Sequence, residues 1–297
     1  MKKFLSIIMV LVLSSFALVG CRQVDNGTKK IGLIVSTLNN PFFVDLRDGV
    51  IKKAKELGYE VVVLDSQNDP AKEVSNMEDI SVKNVDVVLL NPVDSDSAVA
   101  SVMIANNSDL PVITVDRAAN GGKVISHIAS DNVAGGDMAA KFLIEKLGGQ
   151  GNIVELEGIA GSSATRDRGK GFEDGIKGSN FNLVSKQSAD FDRTKGLSVM
   201  ENIIQSKSGI SAVFAQNDEM ALGAQKALEG AGMKDVLVVG FDATEDAVDA
   251  VKKGKMAATV AQQPILIGET AVEAVHKLLS DEKIDSYIPV ELKLITK

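Results

Sequence analysis

Short apolar runs punctuate this chain at a near-regular spacing, and each gives way to a longer stretch whose apolar positions recur every three or four residues. The runs include Ile31–Val35, Val87–Leu90, Val112–Val115, Ala212–Phe214, Val236–Val239 and Ala257–Ala261. Unbroken runs of this kind suit strands buried on both faces, the condition of a parallel sheet covered by helices. Between them, Phe43–Leu57 places Val44, Val50, Ile51, Ala54 and Leu57 on one stripe and stops at Gly58, as a packed amphipathic helix does. The spacing predicts strands over 31–35, 60–64, 86–90, 112–115 and 124–128, then over 152–156, 183–186, 211–214, 236–239 and 257–261. Alternating β and α elements imply an α/β fold, and each set of strands makes one doubly wound, Rossmann-like parallel-sheet lobe. A length of 297 residues is comfortable for two such lobes. A faint echo of Asp48-Gly49-Val50-Ile51-Lys52 in Asp174-Gly175-Ile176-Lys177 fits a repeated plan.

The runs lead into side chains that can hold a hydroxyl: Asn40, Asn91, Asp116 with Arg117, Asn217, Asp242 and Gln262. In open α/β sheets, ligands bind beyond the carboxyl ends of the strands, so these positions are where a site is expected. A hydroxyl both donates and accepts, and an unpaired buried polar group is costly, so a selective polyol site mixes carboxylate or amide oxygens with amide or guanidinium donors. Asp116 and Arg117 supply that mixture in one half, and Asp242 with Arg168 in the other; the balance of charge favours an uncharged ligand. Phe42, Phe43 and Phe191 fall in predicted loops at the same ends. Aromatic residues make up only 4% of the chain, which raises the weight of three gathered there as apolar faces for a ring. Helix caps compete for some of these polar residues. Asp69-Pro70 reads as a cap, and Asp218 and Glu219 are expected to cap a helix or to sit in a solvated turn.

Other chemistry is thin. The chain has no His-Glu-x-x-His, no phosphate-binding P-loop and no Gly-x-Ser-x-Gly elbow. Gly169-Lys170-Gly171 with Gly175 has the wrong spacing for a dinucleotide site and falls inside a predicted helix. His127 and His276 are the only histidines, and neither has a neighbour suggesting catalysis or a metal. Neither a metal nor a cofactor is therefore expected. At the front, Lys2 and Lys3 precede an apolar stretch from Phe4 to Val19 closed by Gly20-Cys21, the pattern of an export signal over residues 1–21. Leu18-Val19-Gly20-Cys21 resembles a lipobox, so Cys21, the chain's only cysteine, is the expected lipidation site, with residues 22–29 as a tether. Removing residues 1–21 takes two of the 32 basic residues and none of the 40 acids, moving the net charge from −8 to −10 and disfavouring nucleic acid as a partner.

The stretches Val35–Phe43, Val63–Asn68, Ile125–Asn132 and Val213–Gly223 resemble, in order, the sugar-binding proteins of ABC importers, and among these the ribose-binding branch. The likeness runs from about Lys30 to the C-terminus. It implies a type I periplasmic binding protein fold with a three-segment hinge near Ser130-Asp131, Gln262-Gln263 and Glu291-Leu292. The N-terminal lobe is then 30–130 plus 263–291, and the C-terminal lobe 131–262 plus 292–297. Carried over position by position, the ribose-contacting residues fall on Asn40, Phe42, Phe43, Asn91, Asp116, Arg117, Arg168, Phe191, Asn217, Asp242 and Gln262, the aromatics flanking the sugar ring. The implied ligand is D-ribose as the β-pyranose. The implied partners are a membrane permease with its ATPase and, in some relatives, a chemotaxis receptor; the expected state is a monomer. Another pentose or hexose, or autoinducer-2, remains open as ligand. A sugar-responsive repressor core would need a helix-turn-helix where this chain has a signal and tether, and the fold alone leaves an enzyme open.

Overall fold

The computed structural model describes residues 27–297, which form two six-stranded sheets covered by helices on both faces. The first sheet contains β1 (Lys30–Val35), β2 (Glu60–Asp65), β3 (Val87–Leu90), β4 (Val112–Val115), β5 (Ser126–Ser130) and β11 (Tyr287–Val290), in the order β2-β1-β3-β4-β5-β11. The second contains β6 (Gln150–Glu157), β7 (Asn180–Ser188), β8 (Ile210–Ala215), β9 (Leu237–Asp242), β10 (Ala258–Ala261) and β12 (Lys293–Thr296), in the equivalent order β7-β6-β8-β9-β10-β12. All pairings are parallel except that of β12 with β10. In each sheet the strand order reverses beside the first strand, which opens a crevice at the carboxyl ends.

Helices α1 (Pro41–Glu56), α2 (Pro70–Ser81) and α3 (Ala98–Asn107) belong to the first sheet. Around the second lie α4 (Asn132–Leu147), α5 (Ser163–Ile176), α6 (Arg193–Ser206), α7 (Asp218–Gly230) and α8 (Glu245–Lys252), while α9 (Pro264–Leu279) returns to pack on α1. The chain thus passes between the lobes three times: from β5 to α4, from β10 to α9, and from β11 to β12.

Alternation along each strand divides the core. Ile31, Leu33 and Val35 of β1 pack with Phe42, Leu46, Ile267 and Ala271 on one face, and Ile34 packs with Met77, Ile80 and Val102 on the other. Burying each such side chain stabilises by about 1.5–3 kcal/mol, so both faces hold the sheet rigid beneath its loops. Caps then fix where the helices start. Asn40 Oδ1 accepts from the Phe42 amide at 3.0 Å ahead of Pro41, and Asp69 Oδ1 accepts from Ala71 at 2.8 Å ahead of Pro70.

Several boundaries differ from the sequence expectation. The strand expected at 124–128 is displaced to 126–130, and that expected at 183–186 extends over 180–188. Strands β11 and β12 leave no apolar run because they are edges; Pro289 in β11 is tolerated there since an edge can spare a ladder donor. The Gly169–Gly175 stretch lies within α5.

Candidate functional site

Loops at the carboxyl ends of both sheets converge on a tight cavity of about 10 Å³. Its walls are Asn40, Phe42, Phe43, Asp116, Arg117, Ala164, Arg168, Phe191, Asn217, Asp242 and Gln262, all but sealed from solvent. Ten of the eleven residues selected from sequence therefore share one wall system. Asn91 does not line it. Its Oδ1 accepts from the Ser36 amide at 3.1 Å, and its Nδ2 donates to Val115 O at 3.1 Å and to Asp116 Oδ2 at 3.2 Å, so it grips Asp116 from behind.

Two opposite-charge pairs face each other across the cavity. Asp116 Oδ2 stands 3.7 Å from Arg117 Nε, and Arg168 Nη1 stands 3.6 Å from Asp242 Oδ1. Arg168 is anchored further: Nε donates to Asn132 Oδ1 at 2.8 Å, Nη1 donates to Gln216 O at 2.7 Å, and the guanidinium lies 3.8 Å from the Phe241 ring centre. Arg117 has one such anchor, Nη1 to Pro92 O at 3.3 Å, and sits between the Phe43 and Phe191 rings at 5.1 and 5.2 Å. Asp242 Oδ1 also accepts from Gln262 Nε2 at 2.8 Å. Phe42 and Phe43 meet edge to face at 5.1 Å. Asn217 both caps α7, accepting from Met220 N at 2.9 Å, and donates to Phe191 O at 3.2 Å.

Burial shifts every charge in this group. It raises the Asp116 and Asp242 carboxyls against the pull of the neighbouring guanidiniums, and lowers Arg168 and also Arg117, which falls to about 10. The site thus stores unfavourable desolvation that a polar ligand can offset. Three wall atoms are buried with no hydrogen-bond partner in the protein: Asp116 Oδ1, Arg117 Nε and Gln262 Oε1. Leaving such groups unsatisfied costs about 1–3 kcal/mol each. Two acceptors and a donor, set among aromatic faces, match the demands of hydroxyl groups on an apolar ring. Backbone strain lies here too, since Asp116, Phe191 and Asp242 have φ of 61°, 59° and 116°. Gly158 makes room for Phe191, because a Cβ at that position would stand 2.0 Å from the ring. At the rim the lobes touch directly: Ser95 N donates to Gly161 O, and Ala118 N to Ser163 Oγ, both at 2.9 Å.

Two expectations fail. Phe42 and Phe43 lie in the first turn of α1 rather than in a loop. Asp218 is neither a helix cap nor part of a solvated turn: Asn217 supplies the cap, and Asp218 is completely buried behind the cavity wall. Glu219 is likewise held, in a bidentate pair with Arg193 at 2.7 and 2.9 Å. Sequence reasoning also passed over Ala164, Asn132 and Gln216. The last two reach the site only through Arg168, a tertiary relation without a local signal.

A periodic pattern of this kind has many relatives. Residues 31–283 match the family model described as a periplasmic binding protein domain. The ribose import binding protein RbsB of Haemophilus influenzae is 57% identical over 90% of this chain and 91% of that protein. That of Bacillus subtilis is 50% identical over the full length of both. Among solved structures, a solute-binding protein of Bacillus halodurans with bound myo-inositol superposes with a TM-score of 0.87 at 33% identity, covering 92% of this chain and 96% of its own. One from Actinobacillus succinogenes with bound D-allose gives 0.86 at 30%, covering 91% and 98%. With two doubly wound lobes closing on a buried polar cavity and a family match across most of its length, the chain belongs to the periplasmic binding protein family.

Proposed function

We propose that this chain is the exported ribose-binding component of an ABC importer. It captures D-ribose, as the β-pyranose, in the interlobe cavity and passes it chemically unaltered to a membrane permease whose ATPase drives uptake. The observation that carries this reading is the cavity itself: two acid–arginine pairs that cancel, aromatic walls, and buried polar atoms lacking partners. Relatives named for ribose import, at 50–57% identity over most of the chain, support ribose over other polyols. Sugar touching both lobes stabilises the closed form in proportion to its differential affinity for that form, and the closed form is what the permease reads. Cys21, which lies outside the described residues, carries the lipid that holds the protein on the outer face of the cell membrane.

Titration calorimetry on protein freed of sugar by unfolding and refolding tests the ligand. D-Ribose is expected to bind tightly, with D-allose, D-apiose and myo-inositol far weaker; folded protein that ignores ribose and binds another member of the panel overturns the assignment. For the anchor, Cys21→Ala is expected to release the protein from membranes, and a native N-terminal peptide of unmodified mass rejects lipidation.

A further inference from the structure

Asp218 has no place in the cavity wall, yet it is fully buried and surrounded by donors. Its Oδ1 accepts from Thr259 Oγ1 at 2.7 Å; its Oδ2 accepts from the Thr244 amide at 2.7 Å and from Thr244 Oγ1 at 3.2 Å. Thr259 Oγ1 in turn accepts from the Ala243 amide at 3.2 Å. One carboxylate therefore controls two consecutive backbone amides, that of Thr244 directly and that of Ala243 through a hydroxyl. Those amides belong to the turn that follows β9, where Asp242 and Ala243 have φ of 116° and 58°. Non-glycine residues adopt this region only when the surroundings impose it. Gly240 clears the space, since a Cβ there would lie 2.2 Å from Asp218 Oδ1. A strand-interior glycine weakens a sheet and calls for such a reason.

Burying a second acid close to Asp242 is unfavourable by charge, so simple helix termination does not account for it. Asn217 already caps α7. What the carboxylate does achieve is a fixed turn.

We propose that Asp218 is a positioning residue: through Thr244 and Thr259 it locks the turn after β9, with Asp242 and Ala243 at positive φ, and so aims the Asp242 carboxylate, with Gln262 and Arg168 on it, at the ligand. Specificity in this lobe then depends on a residue that touches no ligand. The inference deepens the ribose reading and rests on it for its affinity readout alone.

The test is a double-mutant cycle. Asp218→Asn is expected to weaken ribose binding by about tenfold in the native background and by less than about twofold once Asp242→Asn is present, because coupled residues do not add. Thr259→Ser keeps the hydroxyl and is expected to retain affinity, whereas Thr259→Val follows Asp218→Asn. Equal losses in both backgrounds, or native affinity in Asp218→Asn, overturn the proposal. A second readout needs no sugar: amide exchange at Ala243 and Thr244 in folded Asp218→Asn is expected to accelerate at least about tenfold relative to β9. Unchanged exchange rejects the positioning role even if ribose proves to be the wrong ligand, while accelerated exchange without ribose binding sustains it and rejects only the sugar.

Discussion

The two walls of the cavity carry the same charges but are built in opposite ways. In the first lobe, acid and arginine are chain neighbours: Asp116 and Arg117 leave β4 together, Asn91 holds the acid, and the guanidinium has a single long anchor at Pro92 O. The second lobe assembles its pair from distant segments, Arg168 on α5 and Asp242 at the end of β9, and fastens the arginine to Asn132, Gln216 O and the Phe241 ring. The first arginine thus spends one N–H within the protein and the second two, besides its stack on the Phe241 ring. Arg117 is a binding group carried by the fold; Arg168 is also a fold group that binding uses.

Replacing each arginine separates these roles and gives the largest effects. Arg168→Ala strands Asp242, Asn132 and Gln216 O in a buried place, and breaking one partner out of such a pair costs about 3–5 kcal/mol of stability. At about 2–4 °C per kcal/mol for a domain of this size, the midpoint of thermal unfolding is expected to fall by roughly 10 °C. Arg117→Ala is expected to weaken ribose binding by about 2–5 kcal/mol, with a thermal shift less than half that of Arg168→Ala. Scanning calorimetry and sugar titration on both variants decide the matter. Equal thermal losses would erase the distinction between the walls.

Much of this arrangement is legible in the amino-acid sequence, for a physical reason. Parallel strands buried on both faces must be apolar throughout, so β3 and β4 stand out as Val87–Leu90 and Val112–Val115, and the residues just past such strands mark the site. Edge strands face no such demand, and β11 and β12, with one buried position between them, left no pattern to read. The lobes differ in the same way. Asp116 and Arg117 could be paired because they are adjacent, and Arg168 with Asp242 only by matching the charges of the first half, whereas the link from Asp218 to the 242–244 turn comes from the structure alone. Asn91 shows the complementary limit: its strand-end position marks it as polar and important without revealing that all its hydrogen bonds to the site pass through Asp116.

A smaller effect distinguishes the lobes by pH. Under the second wall, Glu155 is buried in β6, accepts from Gln216 Nε2 at 2.8 Å, and leaves Oε2 unpartnered; burial raises it from 4.5 to about 7. Between those values the folded state binds the proton that the unfolded state has released, so the contribution to stability declines as pH rises from about 4.5 to 7 and is lost above that. Glu155→Gln keeps the acceptor for Gln216 and removes the titration. The variant is expected to match the native protein near pH 4.5 and to exceed it above pH 7 by up to about 3 kcal/mol. In the first lobe the sign is reversed at His127, which lies against Thr114 Oγ1 at 2.9 Å and which burial lowers from 6.5 to about 4. There the unfolded state takes up the proton first, so stability is lost as pH falls through that window, and His127→Gln is expected to flatten the acid side alone. Denaturant titrations of both variants from pH 4 to 8 check this; identical pH profiles would show that neither group titrates as its burial implies.

The smallest expected effect concerns the first wall's own support. Asn91→Ala removes one hydrogen bond from Asp116 and leaves Ser36 N and Val115 O to find other partners, with an expected stability cost of about 1–3 kcal/mol. Its effect on ribose affinity is expected to be only about tenfold, because Asp116 keeps its ion pair with Arg117 and its strained backbone, with φ of 61°, does not depend on Asn91 alone. The loss is expected to vanish in an Asp116→Asn background. If Asn91→Ala instead abolishes binding in a folded protein, or its loss persists when Asp116 is replaced, Asn91 meets the sugar directly and the first wall is deeper than the present geometry shows.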